Sequence, residues 1–348
     1  MAKKAKETKA GRVSMQDLMN LVNKKAGRHV AHDLTGENPT EVKEWISTGS
    51  RWLDSIVCKG QVAGIPVGKV SELAGLTSTG KSYMAAQIAA NAQKQGKIVV
   101  YFDSESAIDP DFLERAGCDL GRLMYIQATS VEFVLETIEE LLGASEDQLL
   151  FIWDSLAFTP SVSDVEGDFN PQSSMAVKAR ILAKGMSKLV IPIADKQATL
   201  LVLNQLKTNI PSGPNARIIA MTTPYMTPGG KALHYSYSLR IWLTGRKAKA
   251  AFVEDEKGFR IGSEVKAKIE KSRFGTQGRN CAFRILWGTE DVGINDEESW
   301  FDAVKSSEYL KSAGSWYTLE MPDGYTKKFQ PSRWAEVIKT DEEFRAKI

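Results

Sequence analysis

Residues 75–82 read Gly75-Leu76-Thr77-Ser78-Thr79-Gly80-Lys81-Ser82. Glycines at the first and sixth positions let a loop wrap backbone N–H groups around phosphate oxygens. A helix starting just after them adds the positive end of its dipole. Lys81 would supply a point charge to the β/γ phosphates, and the Ser82 hydroxyl a ligand for Mg²⁺. An apolar strand pattern over 67–74 precedes the loop and a helical pattern over 81–95 follows it, which is the context such a loop requires. The expected ligands are ATP and Mg²⁺.

A phosphate loop of this kind takes a second magnesium ligand from the end of a neighbouring apolar strand. Asp154 closes such a run, Leu-Leu-Phe-Ile-Trp-Asp over 149–154. The next residue is Ser155 rather than a glutamate, so a water-activating base must come from elsewhere. Glu105 is the candidate, just beyond the apolar run 97–103, where a carboxylate can orient a water for in-line attack. On position alone it reads equally well as a surface glutamate at a strand end. Lys271 and Arg273 stand two apart in a strand-like run, so both face one side. With Lys266, Lys268 and Glu270 before them, a solvated edge is the alternative account.

These side chains need a sheet to hold them. Short continuous apolar runs at 97–103, 123–127, 148–154 and 199–205 suit strands covered on both faces, alternating with helical patterns at 110–116, 131–142 and 175–194. Pro192 is expected to end or kink the last of these helices. Beyond residue 235 the pattern becomes antiparallel, with strands at 237–244, 250–254, 258–261, 263–271 and 281–287. Ser14 and Asp17 make a capping box for a helix striped with Met15, Leu18, Met19 and Val22, too short to stand alone in water. The fold class is therefore α/β, a mostly parallel sheet flanked by helices. It carries an N-terminal arm (1–45), a core (46–295) and a small aromatic C-terminal subdomain (296–348).

The 348 residues, 43% apolar and 25% charged, are those of an ordinary globular protein. Three scattered cysteines support neither a disulfide framework nor a zinc site. No run is long enough to span a bilayer, and the basic start (Lys3, Lys4, Lys6, Lys9, Arg12) has no apolar stretch behind it. A cytoplasmic protein is expected. The net charge of +2 is uninformative, and the run Arg246, Lys247, Lys249 reads as solvated surface.

Taken in order, several segments resemble the RecA family of recombinases, over roughly residues 45–290. The stretch from Ile46 to Asp54 is similar to that family's opening segment, and 102–110 to its catalytic-glutamate stretch, with Glu105 on the glutamate. Asp154-Ser155 matches the magnesium strand, 202–206 the segment of the γ-phosphate-sensing glutamine (here Gln205), and 226–233 the glycine pair closing the second DNA loop. The resemblance implies that Asp109 and Phe112 lie by adenine. It implies DNA-binding loops near 161–174 and 206–228, with Met175, Arg180, Lys207, Ile210, Arg217, Gly229 and Gly230 at or flanking the DNA. It further implies that Lys271 and Arg273 reach the γ-phosphate held by an adjacent protomer.

The implied activity is a DNA-dependent ATPase that forms a helical filament on single-stranded DNA and pairs it with a homologous duplex. Single-strand-binding and loader proteins would be further partners. Lys207 in place of an arginine, a longer second loop and a C-terminal region without a strongly acidic tail imply a divergent member, similar to the phage UvsX type, acting in a bacterial or phage-infected cell. A ring-shaped helicase-type motor and a non-catalytic regulator of recombination are the alternatives.

Overall fold

Continuous burial decides the architecture. The runs over 98–103, 149–154 and 199–205 have consecutive buried residues facing opposite ways, so helices must cover both faces, whereas the run 123–127 at the sheet edge is largely exposed. The computed structural model describes residues 13–36, 40–59, 61–167, 175–245, 251–288, 292–305 and 307–348. The basic N-terminal residues up to Arg12, the run 246–250 and the 168–174 part of the first loop lie outside them.

Contacts divide the chain into residues 1–41 and 42–348. In the first unit, helix α1 (Met15–Ala26) starts at the expected capping box, with Ser14 and Asp17 each bonded to the other's backbone N–H. It ends at Gly27, and none of its twelve residues is buried. Met15, Leu18, Leu21 and Val22 are exposed.

In the second unit, β1 (Trp45–Ile46), α2 (Arg51–Val57) and β2 (Ile65–Pro66) lead into β3 (Val70–Gly75), α3 (Lys81–Lys94) and β4 (Ile98–Asp103). Then come α4 (Pro110–Arg115), β5 (Leu123–Gln127), α5 (Val131–Ala144), β6 (Leu149–Asp154), α6 (Val162–Glu166), α7 (Met175–Asp195) and β7 (Thr199–Gln205). The second loop holds β8 (Lys207–Thr208), α8 (Ala216–Thr222) and β9 (Tyr225–Met226). It is followed by α9 (Lys231–Ser236), β10 (Leu239–Gly245), β11 (Phe252–Glu254), β12 (Arg260–Ser272), β13 (Asn280–Leu286) and β14 (Gly293–Asn295). Residues beyond these form α10 (Asp296–Lys305), a three-stranded antiparallel sheet of β15 (Leu310–Ala313), β16 (Trp316–Glu320) and β17 (Thr326–Phe329), then α11 (Trp334–Thr340) and α12 (Glu342–Lys347).

The main sheet runs β14-β13-β12-β10-β3-β7-β6-β4-β5, with β11 on β12. From β10 to β5 every pairing is parallel, and from β10 to β14 every pairing is antiparallel. Tyr101, Ile152 and Leu203 join Met84 and Ile88 of α3 in one buried cluster. Their chain neighbours Phe102, Trp153 and Val202 join Ile138 of α5 and Leu182 of α7 in another. A third cluster, built on Trp300, Phe301, Phe329, Trp334 and Phe344, fills the C-terminal region.

Three expectations need correction. The strand expected over 67–74 begins only at Val70 and runs to Gly75, because residues 67–69 form a turn through Gly68, which has φ of 75°. The pieces 258–261 and 263–271 are one strand of thirteen residues, β12. Pro192 does not end α7, which continues to Asp195. Proline costs that helix one backbone bond, and burial of Leu189 and Ile193 on either side offsets the loss.

Candidate active site

The loop between β3 and α3 closes on itself. Thr79 Oγ1 donates to the Leu76 carbonyl at 2.8 Å, and Lys81 Nζ donates to the carbonyls of Gly75 (3.3 Å) and Leu76 (3.1 Å). Ser78 and Gly80 both have positive φ, 60° and 81°, a backbone nest of the kind that takes an anion. At Gly80 a Cβ would also stand 2.4 Å from Ile285 Cδ1, so another residue there would have to move that side chain as well as bear the backbone strain of the positive φ. Burial lowers the Lys81 ammonium from its ordinary range, with Asp154 and Glu105 pulling it partly back.

Beside the loop, Asp154 ends β6, which pairs with β4 so that Asp103 and Asp154 are level. Asp154 Oδ2 accepts from Ser82 Oγ and from Tyr101 OH, each at 2.8 Å. Burial raises the Asp154 carboxyl above the usual range, against the two hydroxyl donors and with Glu105 and Asp103 adding repulsion. A buried carboxylate partnered by hydroxyls suits Mg²⁺. Among the described residues no group of three or more His, Cys, Asp or Glu could hold a metal. Ser82 and Asp154 are the protein residues that would hold the ion, where it would neutralise charge on phosphate oxygens.

Glu105 is brought to the same place. Its Oε1 accepts from Ser155 Oγ at 2.8 Å, so the residue that displaced a glutamate after Asp154 holds Glu105 instead. Ser104 Oγ accepts from Ser155 N (2.9 Å) and donates to Ser155 O (3.0 Å), locking the two strand ends together. Asp103 shapes the turn: its carboxylate accepts from the backbone N–H groups of Glu105, Ser106, Ala107 and Ile108. Asp103, Tyr101 and Ser104 were not singled out from the sequence. The cue for Asp103 was a strand-ending Asp before a serine, which also reads as ordinary turn chemistry.

A cavity of about 290 Å³ opens between Ser82, Tyr83, Asp103, Glu105, Phe112 and Asp154. Phe112 lies edge-on to Tyr83 at 4.7 Å, and Trp287 is 6.4 Å from Tyr83. Asp109 caps α4 by accepting from Asp111 N.

Gln205, at the end of β7, is the register partner of Gly75, and Leu206 N donates to the Gly75 carbonyl at 3.0 Å. Asn204, one residue earlier, is fully buried and donates to Glu72 Oε1 (3.0 Å) and to the Pro228 carbonyl (3.1 Å). Glu72 also accepts from Arg240 Nε at 2.6 Å, and Arg240 reaches Thr227 Oγ1 at 2.9 Å. Burial, then the charges of Arg240 and Lys271, push the His234 imidazole down to about 4, so it is neutral at pH 7. This network joins the base of the phosphate-loop strand to the far end of the second loop. Removing one partner of a buried pair strands the other charge. Arg240→Met is therefore expected to lower unfolding free energy by about 3–5 kcal/mol, measured by urea denaturation. A loss below about 1 kcal/mol, the scale of an exposed pair, would contradict this.

Of the residues implied for DNA, Ile210 is 86% exposed and Lys207 and Arg217 are exposed on or beside the β8–β9 hairpin. Arg180 is exposed on α7, its Nε bonded to the Ala176 carbonyl, and Met175 opens that helix. Gly229 and Gly230 follow β9 and lead into α9, with positive φ of 109° and 83°. Lys271 and Arg273 converge on the end of α9: Lys271 Nζ donates to the His234 carbonyl at 2.6 Å, and Arg273 to the Tyr235 carbonyl at 2.9 Å. Lys271 pairs with Arg240, which pairs with Glu72. That puts it two strands across (~10 Å) and three residues back (~10 Å) from Gly75, so its side chain is not brought to this chain's own phosphate loop.

The family model for the RecA N-terminal domain matches residues 13–294. Protein RecA of Fusobacterium nucleatum is 31% identical over 308 residues, covering 88% of this chain and 75% of that protein. Protein RecA of Colwellia psychrerythraea is 30% identical over 283 residues, 81% of this chain and 76% of that protein. Protein RecA of Bifidobacterium breve is 29% identical over 299 residues, 86% and 71% respectively. Identities near 30% agree with the departures noted in the sequence. A match of this length takes in the phosphate loop, both strand-end carboxylates and the second loop together: the chain belongs to the RecA family of recombinases.

Proposed function

We propose that this chain hydrolyses ATP in response to single-stranded DNA, polymerises on that DNA, and drives homologous pairing and strand exchange. The observation that carries the coupling is the register of Gln205 with Gly75. The residue that opens the second loop stands beside the first glycine of the phosphate loop. A γ-phosphate contact by Gln205 would then order the loop that grips DNA.

In the proposed reaction, Glu105 takes a proton from a water whose oxygen attacks the γ-phosphorus in line. The bond to the β–γ bridging oxygen breaks, giving ADP and inorganic phosphate. Lys81 offsets charge on the phosphates, Ser155 holds Glu105, and Lys271 and Arg273 of a neighbouring protomer complete the charge neutralisation. Mg²⁺ on Ser82 and Asp154 would supply further neutralisation of the phosphate oxygens.

DNA would be held through phosphate contacts by Arg180, Lys207 and Arg217, main-chain N–H groups at Gly229 and Gly230, and Ile210 set between bases, giving affinity without sequence reading. The exposed apolar stripe of α1 suits docking on a neighbour in the filament, as an arm (1–45) attached to a core (46–295) and C-terminal subdomain (296–348). Homologous duplex DNA, single-strand-binding proteins and loaders complete the proposed partners. The cytoplasm, where the DNA partners of this activity lie, is its proposed setting; no helix among the described residues is long and apolar enough to cross a membrane.

The test is ssDNA affinity with and without a non-hydrolysable ATP analogue. Gln205→Ala is expected to abolish the nucleotide-dependent gain, a coupling typically 5–150-fold. An unchanged gain would route the coupling elsewhere. Rings instead of filaments under negative stain would favour the helicase-type reading.

A further inference from the structure

Lys178 sits on the first turn of α7, the helix that follows residues 168–174, and its ammonium is turned inward. Its Nζ donates to the carbonyls of Leu156 (2.9 Å), Ala157 (3.4 Å) and Thr159 (2.5 Å). Those three carbonyls belong to the turn that leaves β6 immediately after Asp154 and Ser155. The turn is bound in series: Trp153 Nε1 donates to Thr159 Oγ1 at 2.8 Å, and Thr159 Oγ1 donates to Ser155 O at 2.9 Å. Ser155 Oγ in turn holds Glu105.

The end of the second loop reaches the same place. A Cβ on Gly229 would meet Leu156 Cδ2 at 3.3 Å and Leu182 Cδ1 of α7 at 3.6 Å, and one on Gly230 would meet Ala179 Cβ at 3.3 Å. Helix α7, the 156–159 turn and the glycine pair therefore pack as one contact.

An ammonium has three donors and no acceptor. Those of Lys178 point at main-chain oxygens, whereas the neighbouring Arg180 is exposed. Lys178 is thus unlike the cations that serve a phosphate backbone. Burial lowers its ammonium from the ordinary range, with Asp164 of the first loop pulling it back and Lys207 of the second lowering it further.

We propose that Lys178 is a positioning residue for Glu105, fixing the 155–159 turn from the helix that leaves the first loop and so tying catalytic geometry to that helix. This rests on Glu105 being the base. A base misplaced by about an ångström loses roughly 100-fold in rate, so the pin is expected to matter for turnover and not for binding.

The experiment compares Lys178→Gln and Lys178→Met, which keep the stem and remove the ammonium. Expected are a kcat for ssDNA-stimulated ATP hydrolysis lowered roughly 10- to 100-fold and a KM for ATP within about twofold. ssDNA affinity with a non-hydrolysable analogue should stay within about threefold, since phosphate contacts are not lost. In a Ser155→Ala background the same substitutions should change kcat by less than about threefold, because groups acting in series are not additive. A kcat close to the parent's, a defect confined to DNA affinity, or a full additive loss in the Ser155→Ala background would overturn the role. So would a fall of more than about 10 °C in thermal midpoint for both variants, which would make Lys178 a stabilising residue only. Wild-type turnover indifferent to ssDNA would count against the proposed function instead, and the Lys178 comparison would then be read on DNA-free turnover.

Discussion

Glu105→Gln is expected to lower ssDNA-stimulated ATP turnover by roughly 10²–10⁴-fold while leaving ATP and ssDNA binding near those of the parent. The amide keeps the shape of the side chain and can still accept from Ser155 Oγ, but it cannot take a proton from water. The turn that carries it is held by Asp103 through four backbone N–H groups, so the substitution leaves the surrounding backbone its partners. Lys81, Ser82 and Asp154, which would hold the nucleotide and its ion, are untouched. Single-turnover hydrolysis alongside nucleotide binding separates the two effects. Turnover within a few-fold of the parent would move the base elsewhere, and a matching loss of ATP affinity would make Glu105 a binding residue.

The second large effect concerns Lys271 and Arg273. A cation delivered to the transferring phosphoryl group from a neighbour is worth about 10³–10⁵-fold in turnover, and Lys271→Ala is expected to lose on that order. Both side chains rest on the carbonyl end of α9, the helix that follows the glycine pair of the second loop. The position of α9 therefore sets where the pair points, which would connect DNA in that loop to the pair. Mixing decides whether the pair acts in trans. Lys81→Ala protomers keep the basic pair, and Lys271→Ala protomers keep the phosphate loop. In a one-to-one mixture about one quarter of head-to-tail interfaces unite two intact halves, so turnover should recover to a corresponding fraction of wild type. A mixture as inactive as its components would confine the pair to its own chain.

Much of this was legible because the relevant residues are close in sequence. The phosphate loop is eight consecutive residues, the buried strands are continuous apolar runs, and Ser155 after Asp154 directed attention to the turn holding Glu105. What stayed hidden is long-range. Glu72 meets Asn204 across 132 residues and Arg240 across 168, and nothing local marks a glutamate inside an apolar strand as half of a buried pair. Nothing in the local sequence marks Lys178, and only the fold turns it onto the carbonyls of the 156–159 turn. The long strand β12 was read as two because Gly262 interrupts its pattern, whereas pairing with both β10 and β13 carries it through. Pro192 misled in the same way: local chemistry argues for a stop, and burial on either side outweighs it.

The central claim is that one chain couples ATP hydrolysis to single-stranded DNA through strand ends shared by the phosphate loop and the second loop. Steady-state ATP turnover of the wild-type protein, measured with and without single-stranded DNA at fixed Mg²⁺, tests it most directly. The account predicts low turnover alone and a large stimulation by DNA that disappears in Glu105→Gln. Equal turnover in the presence and absence of DNA would contradict it.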